Sequence, residues 1–306
     1  DERLLWMLAT PFESPVRGRP VIASASIAQI LAGQAALELP ADLLPGEPSG
    51  FGLSTGITAT WRDGDGAFAF FFVRYAGFEL RGVGVARATL ETQAPAEVLA
   101  ATDGLFPSGE PVMAADGGVV EAFTPRFLTG VVPIDDILYA YVCQTRPDAP
   151  DEQGSAAPHF QPCRLARVRA DQVSDGTRYE FWSETGWSHR LADASVVIDH
   201  VPGVMTVTWN TYLQKYVAVH SGAQNDVVLR WADRLQGPFQ ALGGVATQVA
   251  TGGMIPLSYA AAELPLPRDT CDPSLFVAYT LPLQREGADP AAEARFETRV
   301  LALRFE

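Results

Sequence analysis

Lysine is almost missing from this chain: Lys215 stands alone beside 21 arginines. Charge of either sign is sparse at 19% of residues, and the balance is acidic, with a net charge of −14. An acidic chain with no basic run is repelled by phosphate backbones. Nucleic acid is therefore excluded as the main partner, and anionic membrane surfaces are disfavoured. Long apolar runs are also lacking. None approaches the ~20 residues that cross a bilayer, and the longest, AFAFFFV (67–73), has the length of a strand. No transmembrane segment is expected. Helix signals are few: IAQILAGQAALEL (27–39) is broken by Gly33 and has no N-cap followed by a polar face. The four histidines (His159, His189, His200, His220) are too scattered to argue a metal site. The sequence carries no Gly-x-Ser-x-Gly, Walker or His-Glu-x-x-His pattern, so no cofactor and no metal are expected.

What is present is apolar and rich in turn-formers. Hydrophobic residues make up 47%, with 27 glycines and 23 prolines, a composition suited to many short strands joined by tight turns. Five strand-like runs recur: LLWML from Leu4, FAFFFVRY from Phe68, LYAYVC from Leu138, YVAVHSG from Tyr216 and LFVAYTL from Leu275. Their spacings are 64, 70, 78 and 59 residues. Four are preceded by a mixed polar and apolar strand (STGITATW, VEAFTPRFL, VMTVTWNTY, YAAAEL), and four are followed by another (VGVARATL, CRLARVRA, VVLRWADR, RVLALRF). A repeat near 60 residues with four strands per unit describes the blades of a propeller. The expectation is an all-β, five-bladed β-propeller of four-stranded antiparallel blades, its ring closed by joining the N- and C-terminal strands. Residues 1–306 then form a single domain, with blades at approximately 1–50, 51–115, 116–190, 191–250 and 251–306.

Three cysteines are present. Cys143 ends the run LYAYVC and Cys163 opens CRLARV, so the two bracket one loop between adjacent strands. A disulfide fits there; two buried free thiols are the alternative, and Cys271 is left odd. A disulfide implies an oxidising compartment. No basic and apolar leader stands at Asp1, so any signal peptide is expected to have been removed or never to have existed. Together these point to an extracellular, periplasmic or cell-surface location.

Candidate chemistry rests on carboxylates. DGDG (63–66) opens like a calcium loop, but Arg74 occupies the twelfth position, so a hairpin turn is expected. RGVGVA (81–86) has two glycines and no third, which rejects dinucleotide binding. Asp135 and Asp136 in PIDDILY read as a turn. Glu121 opens VEAFTPRFL, and Glu263 sits in YAAAELP near Tyr259. A propeller axis would gather both, and paired carboxylates suit glycoside hydrolysis, one as acid and the other as base or nucleophile. Tyr259, with Thr55, Thr206 and Asn210 on leading strands, supplies the expected ligand contacts. Trp61, Trp182, Trp187, Trp209 and Trp231 either stack on sugar rings or pack between blades.

The segments CRLARVRADQVSDGTRYEFWSETGW, MTVTWNTYLQKYVAVHS, VVLRWADRLQGPFQ and YAAAELP…LFVAYTLP, in that order, resemble a bacterial family of five-bladed propellers. That family long had no assigned function, and some members are endo-D-arabinanases. Its architecture is similar to that of the arabinanases and β-xylosidases. The resemblance is clearest over residues 120–306. It implies an exported, glycan-interacting propeller whose partner is a polysaccharide or oligosaccharide. Members usually carry Phe-Gly-Asp-Thr where this chain reads Met7-Leu8-Ala9-Thr10, and many have His-Pro where Leu264-Pro265 stands here. Ala9 thus replaces the family aspartate, so weak or absent hydrolysis is expected. The alternatives are a non-catalytic sugar-binding module and a structural or surface-assembly propeller.

Overall fold

The computed structural model describes residues 3–8, 21–26, 54–63, 66–74, 80–89, 97–100, 105–106, 112–113, 119–120, 127–143, 161–201, 204–222, 226–245, 259–264, 272–283 and 295–305. Among these residues there is no α-helix, only three short 3-10 turns between Ala170 and Asp193. The protein is all-β and its sheets are antiparallel.

Among the described residues five sheets follow one another, with one short extra hairpin. The first pairs β1 (Arg3–Leu8) with β2 (Val21–Ser26). The second runs in order through β3 (Ser54–Asp63), β4 (Gly66–Arg74), β5 (Leu80–Thr89) and β6 (Glu97–Ala100). The hairpin is β7 (Val112–Met113) with β8 (Val119–Val120). The third sheet holds β9 (Phe127–Ile134), β10 (Ile137–Cys143), β11 (Gln161–Arg169), β12 (Glu180–Ser183) and β13 (Gly186–Ser188), and β14 (Val196–Val201) also pairs with β11. The fourth is β15 (Met205–Asn210), β16 (Lys215–Ser221), β17 (Val227–Ala232) and β18 (Gln240–Val245). The fifth is β19 (Tyr259–Glu263), β20 (Ser274–Leu283) and β21 (Arg295–Arg304).

The recurring apolar runs fall on β1, β4, β10, β16 and β20. On β10 and β16 both faces are apolar because a core lies on each side of the sheet. Side chains alternate along a strand, and β10 shows the consequence. Leu138, Ala140 and Val142 join a core with Trp61, Phe68 and Phe70 of the second sheet. Tyr141 and Cys143 turn the other way, to a core with Met205, Val207 and Ala218 of the fourth. On β16, Ala218 faces the third sheet, while Val217 and Val219 pack against Ala261, Leu275 and Val277 of the fifth. Among the described residues, the gaps between the second and third, third and fourth, and fourth and fifth sheets thus each have their own core. The leading strands of the second to fifth sheets adjoin in sequence: β3 lies by β9, β9 by β15, and β15 by β19, and β1 also lies by β3.

Gly130 shows how closely β9 and β15 approach. Its φ is +59°, and a Cβ there would sit 2.9 Å from the Tyr141 ring and 3.0 Å from Val207. Glycine alone combines that backbone with that clearance. Asp135, in the two-residue turn between β9 and β10, has φ 52°, a value asparagine and aspartate tolerate best after glycine. DGDG closes the β3–β4 hairpin, with Asp63 opposite Gly66, and RGVGVA lies within β5 rather than at a strand-to-helix turn. The third sheet's leading strand starts at Phe127, so most of VEAFTPRFL precedes it.

Candidate site at the junction of the fourth and fifth sheets

Glu263 ends β19, the leading strand of the fifth sheet, and is 3% exposed. A buried carboxylate must be hydrogen-bonded to persist, and the neighbouring sheet supplies the partners. The Thr208 hydroxyl donates to Glu263 Oε2, and the Glu263 amide donates to Thr206 Oγ1 at 2.7 Å. The sequence MTVTWN explains how one strand does both. Thr206 and Thr208 share a face of β15, while Val207 between them turns into the core shared with the third sheet. A third tie comes from β16, where Ser221 Oγ accepts the Ala261 amide at 3.1 Å. Three hydroxyls of the fourth sheet therefore fix β19 and the orientation of the Glu263 carboxylate.

The other residues singled out from the sequence divide clearly. Thr206 is brought to Glu263. Asn210 ends β15, is buried, and its Oδ1 accepts the Leu213 amide at 2.9 Å, closing the turn into β16. Thr55 lies on β3 opposite Val73, and Tyr259 opens β19 opposite Thr280. Glu121 and Ala9 lie outside the described residues, so no separation between two carboxylates is defined. Cys143 and Cys163 stand directly opposite each other on β10 and β11 and are joined by a disulfide. Cys271 lies outside the described residues.

Thr208 and Ser221 were not singled out from the sequence, and His220 was named only as one of four scattered histidines. The alternation of MTVTWN could have pointed to Thr208, because it lies two residues from Thr206. His220 is 1% exposed, and its Nδ1 lies 2.8 Å from the Ser221 carbonyl. A carbonyl only accepts, so Nδ1 carries the proton. Burial pushes the His220 pKa down to about 4; the Ser221 contact and Asp226 oppose this, and Arg230 adds to it. Of the other histidines, His189 contacts the Tyr179 carbonyl and His200 lies exposed beside Asp199. Among the described residues no group of three His, Cys, Asp or Glu converges to hold a metal.

The tryptophans serve different ends. Trp61 is buried and stacks on Phe68 with centroids 5.1 Å apart. Trp182 and Trp187 meet edge to face, and the Arg167 guanidinium lies 4.2 Å over Trp187. Lys215, the lone lysine, lies over Trp231 and is paired with Asp233. Trp209 is 43% exposed at the end of β15 and rests edge-on against Tyr216.

Residues 152–280 match a family described as a domain of unknown function, DUF4185. No curated protein matches the chain. Among solved structures, a candidate hydrolase from Bacteroides ovatus is similar at 12% identity and TM-score 0.51, over 90% of this chain and 73% of that one. An α-L-arabinofuranosidase from Fusarium graminearum, solved with an iminosugar inhibitor, is similar at 9% identity and TM-score 0.46, over 99% of this chain and 72% of that one. A protein solved as an RGII complex is similar at 12% identity and TM-score 0.43, over 82% of this chain and 71% of its own length. At such identities the likeness concerns the fold alone.

Proposed function

We propose that this protein is an exported five-bladed propeller, one domain over residues 1–306, that binds a polysaccharide or oligosaccharide near its axis, where it has little or no hydrolytic activity. The order of the sheets, with the leading strands of the second to fifth side by side in turn, supports a ring closed between the chain's two ends. The observation that carries the glycan reading is Glu263: a buried carboxylate at the junction of two leading strands, oriented by Thr208 and Thr206. An oriented carboxylate accepts hydrogen bonds from sugar hydroxyls, and paired with a second one it could serve in glycoside hydrolysis. Glu121 is the proposed second carboxylate, and Thr55, Tyr259 and Asn210 are the proposed flanking contacts. The Cys143–Cys163 disulfide supports export to a periplasmic, extracellular or cell-surface location.

A second reading has its own observation. Both the amide and the carboxylate of Glu263 are engaged by β15, as expected of a strut between blades in a structural or surface-assembly propeller. The deciding experiment is calorimetric titration of the purified protein with oligosaccharides of D-arabinan, arabinogalactan and xylan, alongside product release. Binding that Glu263→Gln weakens at least tenfold, in a variant that still folds, supports the glycan site. No binding of any of the three leaves the structural reading in its place.

A further inference from the structure

The fourth sheet contains a second polar site, away from Glu263 and on its opposite face. His220 on β16 lies opposite Val228 of β17, and Arg230 lies opposite Ala218. His220 and Arg230 are therefore diagonal neighbours on one face, with Cα atoms roughly 7–8 Å apart. It is the face that carries Ala218, Val207 and Met205 into the core with the third sheet. Asp199 of β14 acts electrostatically on Arg230 across that gap, and Asp226 acts on His220. Two enclosed atoms here have no hydrogen-bond partner among the described residues: His220 Nε2 and Arg230 Nε. Native interiors rarely leave such atoms unsatisfied, and each orphan costs about 1–3 kcal/mol.

The chemistry of the two orphans specifies what can fill the gap. Because His220 Nδ1 carries the ring's proton, Nε2 offers a lone pair and needs a donor. Arg230 Nε offers only a hydrogen and needs an acceptor. A bound metal is disfavoured by the guanidinium. A bound anion would give Nε2 no proton and would stand near two carboxylates, Asp199 and Asp226. A hydroxyl both donates and accepts, and it carries no charge.

We propose that His220 and Arg230 form a binding site for a single hydroxyl group, held between the third and fourth sheets and supplied either by an internal water or by a ligand's sugar hydroxyl. The site does not depend on the role of Glu263. One water with two or more polar partners is the ordinary occupant of such a gap, and a sugar hydroxyl has the same donor and acceptor pattern.

The test is a crystal structure of the whole chain, grown without carbohydrate, at a resolution that shows ordered waters. One ordered peak within hydrogen-bond distance of both His220 Nε2 and Arg230 Nε is expected. Soaking with an arabino-oligosaccharide then separates the sources. A peak that persists unchanged identifies water, and a peak replaced by sugar density identifies the ligand hydroxyl. A bromide soak with an anomalous signal at this position would overturn the proposal. So would a dry gap in which the two side chains bond to protein groups instead. In solution, Arg230→Met is expected to shift the His220 Nε2 nitrogen resonance toward that of an imidazole nitrogen with no donor. An unchanged resonance in a folded variant would also count against the site.

Discussion

The hydroxyl of Thr129 on β9 accepts the backbone amide proton of Met205 and donates to the Met205 carbonyl, both at 2.7 Å. One side chain thus satisfies both backbone groups of the first residue of β15, and Thr129 is completely buried. Thr206 repeats part of the device one sheet further on, accepting the Glu263 amide. Hydroxyls on leading strands thus tie the third sheet to the fourth and the fourth to the fifth, where a backbone ladder does not run between them. Thr129→Val keeps the shape and removes the hydroxyl, leaving two buried backbone groups unpaired. A loss of about 2–4 kcal/mol is expected, read from the midpoint of urea unfolding. Thr129→Ser should recover most of it. If Thr129→Val unfolds like the wild type, the ties carry no stability.

The Cys143–Cys163 bond closes a separation of 20 residues. Constraining a loop of that length in the unfolded chain contributes about 3 kcal/mol. Reducing the bond, or replacing both cysteines by alanine, should lower unfolding stability by that order. Alkylation without reductant followed by peptide mass analysis should modify Cys271 alone. Labelling of Cys143 and Cys163 in protein purified without reductant would remove the main support for export.

His220 links stability to pH. Its pKa is about 4 in the fold, against roughly 6.5 in an unfolded chain. The unfolded state therefore takes up the proton first as pH falls. The neutral buried ring contributes nothing extra above about pH 6.5, and stability declines as pH falls from there through 4. The groups facing His220 divide, Arg230 favouring the neutral ring and Asp226 the charged one. The difference of about two to three units corresponds to about 3 kcal/mol. Unfolding of the wild type at pH 7 and pH 4.5, beside His220→Gln, checks this. The variant should lose less stability on acidification, and parallel losses would show that His220 is not responsible.

The parts of the fold legible in the sequence were those set by continuous apolar runs. LYAYVC and YVAVHSG fill gaps on both faces of β10 and β16, and LFVAYTL packs Leu275, Val277 and Tyr279 against the fourth sheet; such runs announce buried strands without tertiary information. The PIDDILY turn was legible because its chemistry is local. The pairing of β14 with β11 was not, because Cys163 meets Ile198 across the turns at 170–193, and nothing in either segment specifies the other. The site divides in the same way. Glu263 stood out as an acid in an apolar strand, but Thr208 is 55 residues away from it. His220 looked like any polar residue near a strand end, because burial is a property of the assembled sheets.

Position 9 holds alanine. In the family this chain resembles, an aspartate stands at that place, and a propeller glycosidase needs two carboxyl groups with divided roles. Alanine neither gives nor accepts a proton. General acid–base groups contribute about 10²–10⁴ in rate, and each factor of ten is about 1.4 kcal/mol of barrier. Glu13 lies beyond Pro11 and is not expected to substitute. The wild type should therefore release little product from D-arabinan beside an active relative. Ala9→Asp should raise release at least tenfold if the rest of the site is intact. Adding Glu263→Gln to Ala9→Asp should abolish the gain, because the amide can keep the Thr208 contact but carries no charge. A gain that survives Glu263→Gln would make Glu263 a strut and assign the second carboxylate elsewhere, with Glu121→Gln the next substitution to make. Full turnover by the wild type would show that the reaction runs without the residue at position 9.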